Sequence, residues 1–306
     1  MTRNASLAAV TVGTFDGVHR GHRFVVDRLV RFARERGVRS AVVTFEPHPL
    51  RIVNPLAAPP LLCVGDEKVR LLEASGADDV VVVPFTREVA LLEAERFVDE
   101  VLLGRFGMRH LFIGHDHGFG RGRAGDAATL ERLGSARGFD VHVVPAVDDR
   151  DGRPISSTAI RNAVARGDLA RAADGLGRPY WVSGVVGHGE GRGAALGYRT
   201  LNLASHPPEK LLPPEGVYAV RVATPGTDYP GMLNLGARPT FGDERRGIEA
   251  HIFDACGDWY GESVRVDFIR RLRDVRRFDG PESLVAQLRR DEEAARLIVS
   301  RWRAGL

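Results

Sequence analysis

The stretch Val12–His22 reads Val-Gly-Thr-Phe-Asp-Gly-Val-His-Arg-Gly-His and decides how the first half of the chain folds. A short apolar run, Leu7–Val12, precedes it, and an amphipathic segment follows it. This order predicts a strand, a glycine-rich turn and a helix. The first backbone N–H groups of a helix have no partner within the helix, so such a turn is suited to bind phosphate. Gly13 and its neighbouring glycines allow sharp turns and a close approach to a ligand.

Two histidines in this stretch, His19 and His22, are spaced to lie on one face of a helical turn. Imidazoles at a phosphate-binding helix start can stabilise charge during transfer at phosphorus. The chain has no Gly-x-x-x-x-Gly-Lys-Ser/Thr sequence, so the P-loop is absent. A glycine-rich turn with one incidental histidine is common in α/β proteins. The pair, together with Phe15 and Asp16, favours a functional site over that ordinary turn.

Composition limits the class of protein. The chain has 306 residues, which favours two domains, and its net charge is only +3 with basic and acidic residues interspersed. It has two cysteines and no uninterrupted apolar run long enough to span a bilayer. The N-terminus leads into a strand without a signal-peptide core. We therefore expect a cytoplasmic protein with no disulfide framework, no nucleic-acid surface and no membrane association.

Strand and helix patterns alternate from the N-terminus to about Asp174. Alternation of this kind predicts a parallel sheet with helices on both faces and ligands at the carboxyl ends of the strands. The Val12–His22 turn lies at such an end. The predicted strands are Leu7–Val12, Val38–Phe45, Asp79–Val83, Arg109–Gly114 and Asp140–Val144.

The sequence pattern changes after Gly177, where short β-like runs are separated by glycine and proline. This spacing is typical of an antiparallel barrel or a sandwich. One amphipathic helix, from Pro281 to about Trp302, closes the chain. We therefore divide the chain into domains 1–177 and 178–306. The predicted strands of the second domain are Tyr180–Val186, Gly216–Ala223, Gly231–Leu235, Ile248–Asp254 and Val264–Ile269.

Two loops that follow predicted strands of the first domain carry polar side chains. Phe45–Pro49 contains His48 between two prolines, and a rigid turn and a substrate contact fit this pattern equally well. Gly114–Gly120 contains His-Asp-His at 115–117. A metal site there lacks a third ligand nearby, so we favour a loop beside a nucleotide, with Asp116 accepting hydrogen bonds from the base or ribose.

Ile155–Arg161 reads Ile-Ser-Ser-Thr-Ala-Ile-Arg and predicts a helix start. An N-cap needs one hydroxyl, whereas Ser156, Ser157 and Thr158 supply three. With Arg161 one turn into the helix, this segment can hold a triphosphate tail. A plain N-cap is the simpler alternative.

The second domain offers oxygen ligands and one carboxylate. Gly184–Asn202 is rich in glycine and ends in Tyr-Arg-Thr-Leu-Asn. Thr200 and Asn202 alternate, so in a strand both side chains face the same way, and both are reasonable ligands for a nucleotide-bound Mg²⁺. Glu249 lies in an apolar run, where it is either a paired structural group or a catalytic base. The residues alone leave these two roles open.

These motifs, taken together, resemble the prokaryotic bifunctional riboflavin kinase/FMN adenylyltransferase (FAD synthetase) family. The first domain carries Gly-Thr-Phe-Asp-Gly-Val-His-x-Gly-His, Phe-x-Pro-His-Pro, Gly-x-Asp-x-x-Phe-Gly and Ile-Ser-Ser-Thr-x-Ile-Arg in that order. The second carries Leu-Gly-x-x-Thr-x-Asn, Asn-x-Gly-x-x-Pro-Thr-Phe-Gly and Glu-x-His-Ile. The resemblance implies a Rossmann-like nucleotidyltransferase domain and a six-stranded antiparallel β-barrel with a C-terminal helix.

For the first domain, the resemblance implies attack of the FMN phosphate on the α-phosphorus of ATP, with release of pyrophosphate and formation of FAD. His19 and His22 would stabilise charge on the phosphates in the transition state. The positions implied to bind ATP or flavin are Gly13, Phe15, Asp16, His48, Asp116, Ser156, Ser157, Thr158 and Arg161.

For the second domain, the resemblance implies phosphorylation of riboflavin to FMN by ATP. Thr200 and Asn202 would bind Mg²⁺ and the phosphates, Glu249 would take the proton of the riboflavin 5′-hydroxyl, and Gly191 and Gly193 would lie in the substrate loop. The family strand usually reads Pro-Thr-Ala-Asn, whereas this chain has Arg-Thr-Leu-Asn at 199–202, and Ala194 replaces a residue of the preceding loop. An adenylyltransferase with a degenerate kinase barrel is therefore the alternative.

Overall fold

The chain folds as two units, Met1–Ser157 and Thr158–Leu306, and each is built around its own sheet. The computed structural model describes residues 8–115, 118, 120, 125–188, 197–237, 246–255 and 257–305. Among these residues, no helix is both long and apolar enough to cross a membrane.

Five parallel strands form the sheet of the first unit, in the order β3-β2-β1-β4-β5. Each predicted strand is present, with ends shifted by at most two residues. The strand order reverses between β1 and β4, which is where open α/β sheets bind ligands. The strands are β1 Ala9–Val12, β2 Ser40–Glu46, β3 Asp79–Pro84, β4 His110–Gly114 and β5 Asp140–Val144.

Helices cover both faces of this sheet, as the alternating pattern predicts. Side chains alternate along β1, so Val10 and Val12 belong to one apolar cluster and Ala9 to the other. The helices are α1 Arg20–Arg36, α2 Pro49–Val53, α3 Asp66–Glu73, α4 Arg87–Leu91, α5 Ala94–Arg96 with a π-helical continuation Phe97–Leu103, and α6 Ala127–Arg137. A 3₁₀ turn occupies Pro55–Ala57, and α7 (Ser157–Ala165) begins at the last residue of the unit.

Six antiparallel strands of the second unit close into a barrel in the order β10-β7-β6-β11-β8-β9. Closure pairs every strand on both sides, which leaves no open sheet edge. The barrel, and not a sandwich, is therefore the observed fold. The strands are β6 Tyr180–Gly187, β7 Thr200–Ser205, β8 Gly216–Thr224, β9 Thr227–Ala237, β10 Arg246–Ile252 and β11 Ser263–Arg273.

Two helices accompany the barrel, α8 (Leu169–Leu176) and α9 (Pro281–Arg303). Ala295 and Val299 of α9 are buried in an apolar cluster with residues of β8 and β9. The same face of α9 carries Asp291, whose side chain is only 5 % exposed. The Arg273 guanidinium holds this carboxylate through Nε and Nη2 at 2.7–3.1 Å. This ion pair fixes the helix on the end of β11.

We expect Asp291→Ala to lower the free energy of unfolding of the second unit by about 3 kcal/mol, because it leaves Arg273 as a partly buried charge without its carboxylate. All three tryptophans lie in residues 181–302, so tryptophan fluorescence during urea denaturation reports this unit alone. Glu293→Ala, on an exposed position of the same helix, is the control. An equal effect of the two changes would contradict the role of the ion pair.

Candidate active sites

The backbone between β1 and α1 adopts an unusual path. Gly13 extends the sheet by donating its N–H to the Val43 carbonyl at 3.0 Å. The chain then turns with positive φ at Phe15 (49°) and Val18 (38°). Such values are rare for residues with a side chain and most unfavourable for a β-branched one. Both side chains are buried, so packing, and not local preference, holds this loop in place.

The Asp16 carboxylate anchors the loop between β1 and α1. Its Oδ1 accepts hydrogen bonds from the N–H groups of Leu62 (2.9 Å) and Cys63 (3.1 Å). The Gly17 N–H donates to the Cys63 sulfur at 3.0 Å. Asp16 is 2 % exposed. The structure therefore gives this carboxylate a positioning role, while the sequence-based expectation that it binds substrate stays a prediction.

His19 and His22 lie face to face at the start of α1. Their ring centroids are 3.5 Å apart with an interplanar angle of 19°. His19 is the N-cap, and its Nδ1 accepts the backbone N–H of His22 at 3.3 Å. Since Nδ1 is an acceptor, the neutral His19 ring carries its proton on Nε2. Capping, and not shared helical periodicity, brings the two imidazoles together.

Two further contacts complete the surroundings of the histidine pair. The Phe15 ring meets His22 edge to face, with centroids 5.2 Å apart. A Cβ at Gly21 would approach the His19 ring to 3.2 Å, so this position favours glycine. The Ser157 hydroxyl, at the first residue of α7, donates to the Asp16 carbonyl at 2.8 Å. The loop after β1 and the residue that starts α7 are thus joined directly.

The structure brings together Gly13, Phe15, Asp16, His19, His22 and Ser157 from the predicted set. Ser156 precedes Ser157 and is half-buried. In the second unit, Arg161 donates from Nη1 to the Thr158 hydroxyl at 3.3 Å. Asp116, Gly191 and Gly193 lie outside the described residues.

The loop after β2 is anchored by a lysine that sequence reasoning did not single out. His48 caps α2 by accepting the Leu50 N–H at 3.3 Å. The buried Lys68 of α3 donates from Nζ to the Phe45 carbonyl at 2.6 Å and pairs with Glu46 at 3.1 Å. Lys68 is one of two lysines in an arginine-rich chain, which is the sequence signal that could have indicated it.

In the barrel, strand pairing places the predicted kinase residues on one face. Asn202 of β7 lies opposite Glu249 of β10, and Thr200 lies opposite His251. On the other side of β10, Asn234 of β9 also pairs with Glu249. The register therefore forms a row Asn202–Glu249–Asn234 across three strands. Sequence reasoning quoted Asn234 within a motif but did not select it, because only the strand register shows its position beside Glu249.

Position 199, where the chain departs from the usual family strand, contributes a backbone group. The Arg199 side chain is exposed, and its carbonyl accepts a hydrogen bond from Nδ1 of His251 at 2.7 Å. Every residue type, proline included, supplies this carbonyl. The Tyr198 ring packs edge to face on His251, with centroids 5.0 Å apart, and burial raises the pKa of Tyr198. Arg199 is therefore compatible with the local structure.

A charged pair holds the turn that follows β10. Arg296 of α9 donates to both carboxylate oxygens of Asp254 at 2.5 and 3.0 Å. These hydrogen bonds lower the pKa of Asp254 and raise that of Arg296. Asp254 has a positive φ of 54°, so the pair supports a turn that the backbone alone disfavours. The strand that carries Glu249 is thereby fixed at its end.

A capped, histidine-lined loop on a doubly wound sheet defines a nucleotidyltransferase-type unit, and the barrel with its polar row defines a flavokinase-type unit. The family model described as FAD synthetase matches residues 1–159, and the model described as riboflavin kinase matches residues 176–299. The chain belongs to the bifunctional riboflavin kinase/FMN adenylyltransferase family.

Individual relatives agree with this assignment. The bifunctional riboflavin kinase/FMN adenylyltransferase of Escherichia coli K12 is 38% identical over 288 residues, which cover 94% of this chain and 91% of the relative. The enzyme of the same name from Bacillus subtilis is 32% identical over 94% of this chain and 91% of its own length. A crystal structure from Streptococcus pneumoniae, titled as a macrolide-efflux protein, has a TM-score of 0.86 and 32% identity, covering 97% of this chain and 95% of that one.

We expect Asp16→Ala to destabilise the first unit by about 2 kcal/mol, because two buried N–H groups lose their acceptor. Asp16→Asn keeps an oxygen that can accept both, so its effect should be smaller. Far-UV circular dichroism during urea denaturation measures the free energy of unfolding of both variants. Tryptophan fluorescence identifies which transition belongs to the second unit. If both variants are as stable as the parent chain but lose substrate affinity, Asp16 binds substrate instead.

Proposed function

We propose that the second unit phosphorylates riboflavin to FMN with ATP and that the first unit adenylylates FMN to FAD with a second ATP. The observation that carries the proposal is the stacked His19–His22 pair at the capped start of α1, beside Ser157. The family match covers both units. Because the riboflavin kinase model matches the barrel, the bifunctional enzyme is favoured over an adenylyltransferase with a degenerate barrel.

In the adenylyltransferase unit, the protein positions reactants and supplies charge stabilisation. An FMN phosphate oxygen bonds to the α-phosphorus of ATP, the bond from that phosphorus to the bridging oxygen breaks, and pyrophosphate leaves with the electron pair. His19 and His22 stabilise the charge that builds on the phosphate oxygens. We propose that Ser157, Thr158 and Arg161 hold the β- and γ-phosphates.

In the kinase unit, Glu249 accepts the proton of the riboflavin 5′-hydroxyl as its oxygen attacks the γ-phosphorus of ATP. Asn202 and Asn234 flank Glu249 in the strand register, so the three side chains share one face of the barrel wall. Thr200 and Asn202 offer a hydroxyl and a carboxamide on one face, which are donors that suit Mg²⁺. Mg²⁺, when bound there, neutralises charge on the ATP phosphates.

The remaining assignments stay proposals. Gly13, Phe15, His48, Asp116 and Ser156 are proposed to contact ATP or flavin in the first domain. Gly191 and Gly193 are proposed to contact substrate in the second.

We keep the division into domains 1–177 and 178–306, since the riboflavin kinase match begins at residue 176. The cytoplasm is the proposed location, because ATP is the co-substrate and the chain has only two cysteines.

We expect His22→Ala to lower the rate of FAD formation at least ~100-fold, because it removes one group that stabilises transition-state charge. FMN formation from riboflavin should stay within about twofold, since His22 lies outside the kinase unit. Chromatographic separation of flavins after incubation with riboflavin, ATP and Mg²⁺ measures both products. A parallel loss of both activities would contradict separate sites.

We expect the opposite pattern for Glu249→Gln: a loss of FMN formation of at least ~100-fold, because the amide cannot accept the proton. FAD formation must be assayed with added FMN, since the variant makes little of its own. Glu262→Gln is the matched control, because it makes the same change from carboxylate to carboxamide at an exposed position of the same unit. If Glu249→Gln keeps full kinase activity, Glu249 is not the base.

A further inference from the structure

A cluster of two histidines and one aspartate lies at the amino ends of β4 and β5. His110 and Asp140 are the first residues of these strands and pair directly across them, and His142 pairs with Phe112. The loops of the adenylyltransferase unit follow the carboxyl ends of the same parallel sheet. The cluster is therefore at the opposite edge of the sheet and has no part in the proposed reactions.

The donor atoms of the cluster converge without satisfying one another. One ligand atom from each of the three residues lies within 4.8 Å of those of the other two. The Nδ1 of His110 is 3.0 Å from a carboxylate oxygen of Asp140, yet the contact lacks hydrogen-bond geometry. The Nε2 of His142 is buried and has no hydrogen-bond partner among the described residues. A buried imidazole nitrogen without a partner is costly unless something else binds there.

Aromatic packing holds both imidazoles in place. The Phe32 ring of α1 contacts His110 and His142, with centroids 4.7 and 4.9 Å apart. His142 also stacks on Phe112 at 4.4 Å with an interplanar angle of 16°. The Asp140 side chain, in contrast, is 71% exposed and is free to adjust. Two imidazole nitrogens held in place and one carboxylate that can adjust are together able to coordinate a cation.

We propose that His110, Asp140 and His142 form a zinc site. Two imidazoles and one carboxylate are a donor set that Zn²⁺ accepts, with water in the remaining position. Bonds of about 2.0–2.1 Å to a tetrahedral ion place neighbouring ligand atoms about 3.4 Å apart. The three ligand atoms already lie within 4.8 Å of one another, so small side-chain adjustments bring them to this spacing. The bound ion would join β4 to β5 beneath α1 and stabilise the first unit.

The test uses the full-length protein after removal of metal with a chelator. Calorimetric titration with Zn²⁺ should show one equivalent that is lost in His142→Phe, a change that keeps an aromatic ring against Phe112. We expect an affinity at least ~100-fold lower in His142→Phe and at least ~10-fold lower in Asp140→Asn. His206→Ala, a histidine in the second unit, is the control and should bind as the parent chain does.

Co²⁺ identifies the ligands independently of affinity. Visible d–d absorption of the Co²⁺ form should appear in the parent chain and be absent in His142→Phe. Zn²⁺ should also raise the unfolding midpoint of the first unit in the parent chain only. If the parent chain binds no Zn²⁺, or if His142→Phe and Asp140→Asn bind it unchanged, the proposal is wrong and the cluster is an aromatic-packed ion pair.

Discussion

The hydrogen bonds from Leu62 and Cys63 to the Asp16 carboxylate are the constraint on which the first site depends. They hold a loop that contains two side-chain-bearing residues at positive φ, a conformation that would not persist alone. With the loop fixed, His19 caps α1 and stacks on His22. The Asp16 carbonyl also accepts a hydrogen bond from the Ser157 hydroxyl. One buried acceptor thus supports the loop that carries the histidine pair.

The two units solve the problem of binding a nucleotide in different ways. In the function we propose, the first uses the start of α1, where backbone N–H groups and the His19–His22 pair meet the phosphates. In the same proposal, the second uses a strand face, where Thr200 and Asn202 offer oxygen atoms to a cation that also binds the phosphates, and Glu249 acts as the base. The first arrangement depends on a strained loop, and the second depends on the register of β7 and β10. Separate sites of this kind let each reaction be altered without the other.

Sequence patterns gave the parallel sheet correctly, because strand and helix periodicities are local and alternate strictly in the first domain. The patterns did not distinguish a barrel from a sandwich in the second domain, because closure depends on which strands pair. The prediction of a barrel rested on the family resemblance. Four side chains were not selected from the sequence for one reason: Lys68, Asn234, His110 and His142 acquire their partners through tertiary contacts. Asp16 was selected, but the sequence could not show that its carboxylate accepts hydrogen bonds from Leu62 and Cys63.

The contact at position 199 bears on how this family tolerates variation. What His251 requires there is a main-chain oxygen, and every amino acid supplies one. This contact therefore accepts any residue type at 199, whereas the side-chain direction along β7 sets Thr200 and Asn202 on one face. A sequence motif for β7 that specifies Thr200 and Asn202 but leaves position 199 open should therefore match divergent kinase barrels. A motif that requires proline at 199 would miss them. Drift at such backbone-only positions can accumulate without any change in the chemistry.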